Sequence, residues 1–154
     1  AASDVYKRQV HHLPMGPGDR FLYPTGFATL GYGLPAAIGA KIADPERAVI
    51  ALVGDGGFVF TLQELLSAVD LELSLPIIIV NNEGFKQIRD EMAERNIHPV
   101  GVNITSVDLQ LFARSAGAQF AQARNPDELI TSLSVALEAR VPTLIDIPLL
   151  SLGS

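Results

Sequence analysis

The chain has 154 residues, of which 48% are hydrophobic and 18% are charged, and its formal net charge is −6. This length is enough for one domain with a real core and is short for two. The negative balance argues against nucleic acid or an anionic membrane as a partner, and the absence of cysteine excludes a disulfide framework and thiol catalysis. The low share of charged residues indicates that another subunit or domain covers part of the surface.

No apolar stretch is long enough to span a bilayer, and we recognise no signal peptide at the start, so we expect a cytoplasmic protein. The segment 1–20 shows no clear hydrophobic periodicity in its first nine residues, and we assign the domain itself to residues 21–154. His11 and His12 are adjacent in that segment. With no group of carboxylates nearby, such a terminal pair is more often incidental than a metal site.

Helical and strand patterns alternate along the rest of the chain. The apolar, β-branched runs 48–53 and 76–80 are typical of strands that are buried on both faces of a parallel sheet. The pattern therefore predicts an α/β fold with a mostly parallel sheet and helices on both faces. The other predicted elements are helices at 36–43, 62–69, 85–95, 107–116 and 127–139, a short strand at Phe120 and a closing strand at 142–148.

A polar, glycine-bearing segment follows each of the two apolar strands. The first is Gly-Asp-Gly-Gly at 54–57, and the second is Asn-Asn-Glu-Gly at 81–84. Ligands of open α/β sheets lie at the carboxyl ends of the strands, and carboxylate and amide oxygens beside exposed N–H groups suit a hard cation that bridges a phosphate. Either segment alone has an ordinary interpretation, a tight turn for the first and a helix cap for the second. The two together are far more specific.

The helix after the first segment has a local signal of its own. Thr61 is a candidate N-cap and Glu64 follows three residues later, which is the pattern of a capping box. This pattern is a sufficient structural reason for Glu64, so we do not assign that carboxylate to the site.

The combined pattern resembles the thiamine diphosphate motif, in which Gly-Asp-Gly and Asn-Asn are separated by a helix and a strand of fixed total length. The resemblance extends over residues 21–148, whereas residues 1–20 match poorly. Segments 32–40 and 61–65 are similar to the diphosphate-binding domain of acetolactate synthase-like enzymes. Segments 24–26 and 82–89 are closer to the 2-oxo acid decarboxylase branch, with 5-guanidino-2-oxopentanoate decarboxylase as the nearest type.

This resemblance implies a role for each part of the two segments. Asp55, the side-chain oxygen of Asn82 and the carbonyl of Gly84 would bind Mg²⁺. Diphosphate oxygens and water would complete the octahedral coordination of this ion. The cofactor diphosphate would meet N–H groups at a helix N-terminus, where unpaired donors favour anions. Those N–H groups are the ones of Gly56, Gly57 and Phe58.

The resemblance also implies contacts to the rest of the cofactor and to the substrate. Leu30 would lie beneath the thiazolium ring, and the carbonyl of Ala28 would accept a hydrogen bond from the pyrimidine amino group. Phe85, Gln87 and Ile88 open the next helix and are candidates to face the cofactor or substrate. Ile88 stands where related pyruvate decarboxylases carry a catalytic glutamate, which argues against simple acetaldehyde-releasing chemistry.

The implied function is Mg²⁺-dependent binding of thiamine diphosphate by one domain of an enzyme that acts on 2-oxo acids. The resemblance further implies that the family's activating glutamate comes from a pyrimidine-binding domain of a partner chain, so we expect a homo- or hetero-oligomer. We therefore assign no certain catalytic residue to this chain and expect no turnover by this chain alone. A fragment and a separate subunit both remain open, as do the particular 2-oxo acid and the choice between decarboxylation and carboligation. The alternative is a non-catalytic phosphate- or cofactor-binding α/β module. The sequence has neither a Walker loop nor a Gly-x-Gly-x-x-Gly after a strand, which disfavours nucleotides.

Overall fold

A computed structural model describes residues 13–24, 26–102 and 107–149, without the side chains of Lys86 and Gln87. His11 and His12 lie outside the described residues. Within these ranges the centre of the fold is a sheet of four strands, all parallel, in the spatial order β1-β2-β4-β3. The strands are β1 (Ala51–Gly54), β2 (Pro76–Asn81), β3 (Gln119–Gln122) and β4 (Thr143–Pro148).

Helices connect these strands, as a parallel sheet requires. The described helices are α1 (Gly33–Ala43), α2 (Asp55–Val59), α3 (Glu64–Asp70), α4 (Lys86–Glu94), α5 (Leu109–Ala116) and α6 (Pro126–Glu138). The ends of α5 and α6 follow from single residues. Asp108 accepts a bond from the N–H of Leu111 at 2.9 Å at the start of α5, and Gly117 ends that helix with a φ of +82°. Asn125 caps α6 by accepting from the N–H of Glu128 at 2.9 Å.

Each face of the sheet carries its own hydrophobic cluster, which explains why the strands are apolar without alternation. Ile77 and Ile79 point to the face that α1, α3 and α5 cover, and all of these elements contribute to one buried cluster. Ile78 and Ile145 point to the other face, where they pack with Ala136 of α6. The predicted α/β class, with helices on both faces of a parallel sheet, is therefore confirmed.

Two local predictions are wrong in detail. The first strand begins at Ala51 rather than at residue 48, because pairing with β2 begins at Ala51 and Ile77. The capping box does not form, since α3 begins at Glu64 and has no side-chain cap. The hydroxyl of Thr61 donates instead to the carbonyl of Gly31 at 3.1 Å. Gly31 has a φ of +80°, and a Cβ there would lie 2.8 Å from Thr61 Cγ2, so the chain before α1 is held closely against this hydroxyl.

Gly39 lies in the middle of α1, where an added Cβ would meet no heavy atom within 4 Å. We expect Gly39→Ala to raise the free energy of unfolding by about 0.5–1 kcal/mol, because alanine loses less backbone entropy in a helix. Urea unfolding of the two proteins checks this. A fall in stability would contradict the open surroundings of Gly39.

Candidate functional site

The two polar segments of the sequence lie side by side at the carboxyl edge of the sheet. Gly54 and Val80 are register partners in adjacent parallel strands, so the chain leaves both strands at the same level. Asp55 then begins α2, and Asn82 begins the turn that leads into α4. The side chains that we proposed as one site therefore meet although 26 residues separate them along the chain.

A hydrogen bond joins the two segments directly. The N–H of Gly84 donates to Asp55 Oδ2 at 2.7 Å, a short bond of the kind that carboxylates form with backbone donors. Gly84 is buried and has a φ of +127°, a conformation that favours glycine. This bond fixes one carboxylate oxygen and leaves Oδ1 of Asp55 directed at the Asn82 side chain.

The side-chain amide of Asn82 meets Asp55 Oδ1 and the carbonyl oxygen of Gly84 at this point. With its oxygen turned inward, that amide places the oxygen 3.3 Å from Asp55 Oδ1 and 2.8 Å from the carbonyl oxygen of Gly84, with no donor among the three atoms. Neighbouring ligands of an octahedral Mg²⁺ at about 2.0–2.1 Å are themselves about 2.8–3.0 Å apart. The separation of 2.8 Å lies within this range and that of 3.3 Å is somewhat longer, so a small movement of the Asn82 amide would bring the three oxygens to the spacing of cation ligands.

The Asn82 side-chain amide can also form hydrogen bonds to the same two oxygens. If the amide is turned over, its nitrogen donates to Asp55 Oδ1 at 3.3 Å and to the Gly84 carbonyl at 2.8 Å. The nitrogen-inward orientation suits a site without a cation, and the oxygen-inward orientation suits one that holds a cation. A carboxylate, an amide oxygen and a carbonyl oxygen are hard ligands, so the chemistry of the donors also fits Mg²⁺.

The glycines of the first segment form the start of α2 rather than a hairpin turn. Gly56 and Gly57 occupy the second and third positions of this helix, where N–H groups have no intrahelical partner. Phe58 occupies the fourth position, and its side chain is buried in the core against Phe112. The plain-turn interpretation is therefore wrong. The role of the three N–H groups toward a diphosphate stays a prediction.

Close packing explains why glycine is needed at one of these positions. A Cβ on Gly56 would lie 2.7 Å from Cε1 and 2.8 Å from Cδ1 of the Phe85 ring. The Phe85 ring in turn makes an edge contact with Phe60 at a centroid distance of 6.2 Å, and the N–H of Phe85 donates to the carbonyl of Val102 at 3.2 Å. The Phe85 ring thus lines the site beside Gly56.

The remaining predicted residues are Leu30, Ala28, Ile88 and Gln87. Leu30 is half-buried, and its Cδ2 would lie 3.8 Å from a Cβ on Gly57, so it lies beside the start of α2. Ala28 is exposed and has a φ of +47°, a strained value for alanine. Ile88 is half-buried in α4, whereas the Gln87 side chain lies outside the described residues.

The sequence reasoning missed a polar group that supports the second segment. Asn81 does not cap α4, because its Nδ2 donates to Asp146 Oδ1 at 3.1 Å and its Oδ1 accepts from the N–H of Glu83 at 3.3 Å. Gln122 Nε2 donates to Asp146 Oδ2 at 2.9 Å. The available signal was one acidic residue, Asp146, in a closing strand with no other charged residue.

Two searches of the described residues limit other kinds of site. No three His, Cys, Asp or Glu side chains in residues 13–24, 26–102 and 107–149 are grouped so that they could hold a metal. The candidate site instead relies on one carboxylate with an amide and a carbonyl. None of the helices in this described part of the chain has the length and apolar character that a membrane crossing requires.

A candidate cation site beside the N–H groups of a helix start, at the carboxyl edge of a parallel sheet, is typical of the class of diphosphate-binding α/β domains. Within that class, residues 5–147 match the family model "Thiamine pyrophosphate enzyme, C-terminal TPP binding domain". The chain therefore belongs to this family. The predicted cofactor, thiamine diphosphate, is confirmed at the level of the family, which also uses Mg²⁺ to bind it.

Individual relatives agree with this assignment. The chain is 44% identical over 129 residues to the "Probable 2-ketoarginine decarboxylase AruI" of Pseudomonas aeruginosa, an alignment that covers 82% of this chain and 23% of the relative. It is 32% identical over 123 residues to an acetolactate synthase of Bacillus subtilis, covering 80% of this chain and 22% of that protein. Since 2-ketoarginine is 5-guanidino-2-oxopentanoate, the resemblance to that decarboxylase is confirmed.

A solved structure has the same fold. The thiamine diphosphate-dependent 4-hydroxybenzoylformate decarboxylase of Rhodococcus jostii RHA1 superposes with a TM-score of 0.71 at 33% identity, over 77% of this chain and 23% of that one. The chain thus spans about a quarter of the length of these relatives.

Proposed function

We propose that this chain binds thiamine diphosphate through Mg²⁺, as the diphosphate-binding domain of an enzyme that acts on 2-oxo acids. The observation that carries the proposal is the convergence of the Asp55 carboxylate, the Asn82 side-chain amide and the Gly84 carbonyl, which can present three oxygens to a cation when the amide turns its oxygen inward. The alternative, a non-catalytic module of the same fold, shares the site and differs only in turnover.

The protein's own part in binding is electrostatic and geometric. Asp55, Asn82 and Gly84 would hold the cation through their oxygens, and the cation would neutralise a diphosphate that a chain of net charge −6 would otherwise repel. The N–H groups of Gly56, Gly57 and Phe58 would donate hydrogen bonds to the diphosphate at the start of α2. Bound thiamine diphosphate supplies the electron sink for the loss of CO₂ from a 2-oxo acid.

The described structure also supports a role for a partner domain. Phe27 is 98% exposed, directly before the strained Ala28 that we expect to face the pyrimidine ring. The exposed aromatic ring next to Ala28 offers apolar surface that a second domain can cover, and burial of such surface is favourable. We propose that a pyrimidine-binding domain or subunit covers this surface, completes the cofactor site and supplies the missing activating glutamate.

The substrate class follows from the relatives and not from a contact in this chain. A 2-oxo acid decarboxylase and an acetolactate synthase both align with it, so decarboxylation and carboligation both remain candidate reactions. Ile88 and Gln87 are the side chains in this domain that we propose to face the substrate. The chain alone is expected to turn over nothing.

Titration with thiamine diphosphate tests the proposal. We expect thiamine diphosphate with Mg²⁺ to raise the melting temperature of the 154-residue chain in a concentration-dependent way, because a ligand that binds the folded state alone stabilises it. Without Mg²⁺, in the presence of EDTA, the shift should largely disappear. A chain that binds equally well in EDTA would contradict the cation site.

Turnover separates the two candidate functions. We expect the chain joined to a pyrimidine-binding domain to release CO₂ from 2-oxo acids, with 2-ketoarginine as the first to try. Metal-dependent binding without turnover of any 2-oxo acid tested would favour the non-catalytic module.

A further inference from the structure

A chain of hydrogen bonds through Asp146 connects the turn that carries Asn82 and Gly84 to β3, a strand at the edge of the described sheet. This aspartate lies in β4 and is 5% exposed. Each of its oxygens accepts one amide donor, Asn81 Nδ2 at 3.1 Å and Gln122 Nε2 at 2.9 Å. A buried carboxylate is costly unless it is bonded in this way. Asp146 is therefore a buried polar side chain whose two oxygens are both paired within the sheet.

The turn itself needs support because part of it is strained. Glu83 has a φ of +62°, which is unfavourable for a residue with a side chain by about 1–2 kcal/mol. The N–H of Glu83 donates to Asn81 Oδ1 at 3.3 Å, a side-chain bond across two residues that stabilises such turns. Asn82 and Gly84 flank Glu83, so the directions of both proposed cation ligands depend on its conformation.

A carboxylate at position 146 also decides which way Asn81 points. A carboxylate only accepts, so the Asn81 amide must turn its nitrogen toward Asp146 and its oxygen toward Glu83. Gln122 cannot turn over to relieve a change at 146, since its Oε1 accepts from Arg124 Nη2 at 2.6 Å. Both amides that contact Asp146 thus have a fixed orientation.

We propose that Asp146 is a positioning residue of the candidate site, which acts through Asn81 to fix the turn 82–84 in the conformation that presents its oxygens to the cation. The identity of the bound group rests on the proposed function, whereas the effect on the turn does not.

Asp146→Asn is the direct test. An amide at 146 can accept from only one of its two neighbours, so either Asn81 turns its nitrogen toward the N–H of Glu83 or two donors face each other. We expect the NMR amide signals of Glu83 and Gly84 to move and their hydrogen exchange to quicken about tenfold. We also expect the affinity for Mg²⁺ in the presence of thiamine diphosphate to fall roughly 10–100-fold, as for outer-shell residues of metal sites.

Thr143→Val is the matched control, because it lies on the same strand but away from the turn. Thr143 is 3% exposed, and its hydroxyl donates to Gln119 Oε1 at 3.4 Å. The substitution removes a buried polar contact of β4 without touching Asn81. We expect it to lower the melting temperature while it leaves the amide signals of Glu83 and Gly84 and the Mg²⁺ affinity unchanged.

Exchanging the amide at position 81 with the carboxylate at position 146 should restore the hydrogen bonds between these positions. Asn81→Asp alone would set two carboxylates against each other. In the double variant with Asp146→Asn, the amide at 146 can donate to position 81 and accept from Gln122, and the carboxylate at 81 still accepts from the N–H of Glu83. We expect the exchange rate of the Glu83 amide to return toward that of the parent chain.

The outcomes separate this inference from the proposed function. Unchanged Glu83 and Gly84 amides in Asp146→Asn would overturn the positioning role. If the parent chain fails to bind thiamine diphosphate with Mg²⁺, the proposed function falls, and the exchange experiment still decides the inference. If Asp146→Asn does not fold, Asn81→Ala removes the same hydrogen-bonded link at the half-buried residue Asn81. An unaltered hydrogen-exchange rate of the Glu83 amide in Asn81→Ala would equally refute the positioning role of Asp146.

Discussion

Replacing Asp55 by asparagine is expected to weaken the binding of thiamine diphosphate in the presence of Mg²⁺ by roughly 100-fold or more, since the loss of even an outer-shell partner costs about 10–100-fold. The variant has almost the same shape, and its side-chain oxygen can still accept from the N–H of Gly84. It removes the negative charge and one hard ligand, and its nitrogen then faces the Asn82 oxygen. The fold is therefore expected to persist while the cation is lost.

Isothermal titration of the chain with thiamine diphosphate, at several fixed Mg²⁺ concentrations, measures this effect. Asp70→Asn is the matched control, because it makes the same chemical change at an exposed carboxylate at the end of α3. We expect the control to bind like the parent chain. Equal binding by Asp55→Asn and the parent would show that the cation does not depend on this carboxylate.

Gly56→Ala is expected to have the second large effect, on stability and binding together. The new methyl group would lie 2.7 Å from the Phe85 ring and 3.5 Å from the Gly84 carbonyl oxygen. Because the backbone of Phe85 is bonded to Val102 and its ring already contacts Phe60, the ring or α2 must shift, and inserting a methyl into such packing costs about 1–3 kcal/mol. The carbonyl of the adjacent Gly84 would move with the ring, so the affinity for Mg²⁺ should fall as well.

Thermal unfolding and the same titration test Gly56→Ala against Gly57→Ala. A Cβ on Gly57 meets only Leu30 Cδ2, at an ordinary 3.8 Å, so we expect no loss of stability in that variant. Combining Gly56→Ala with Phe85→Ala should recover part of the lost stability by making room for the methyl. If Gly56→Ala is as stable as Gly57→Ala, the contact between α2 and Phe85 is not as close as the structure indicates.

Much of the fold was predictable because the decisive signals are local. The run of isoleucines at 77–79 is apolar at every position, which indicates a strand covered on both faces, and the two hydrophobic clusters bear this out. Asn125 and Gly117 mark helix ends through bonds to their own neighbours. Asp55 and Asn82 could be paired in advance because carboxyl ends of adjacent parallel strands share one edge.

The parts that the sequence did not reveal depend on contacts between distant residues. Thr61 carries the local pattern of a capping box, but its hydroxyl binds Gly31, 30 residues away, and the long-range contact prevails. The pairing of Asn81 with Asp146 joins residues 65 positions apart and requires the register of β2 against β4. A pattern read along one strand does not contain that register.

The last described strand has a further consequence for how the protein is made. β4 is inserted between β2 and β3, although both of these strands precede it in the chain. During synthesis β1 and β2 can pair well before β4 leaves the ribosome, but Asn81 then has no Asp146 to receive its amide. A nascent chain that stops short of Thr143 therefore holds the carboxylate and both asparagines without the strand that aligns them, so we expect these side chains to take up their arrangement only after β4 has joined the sheet.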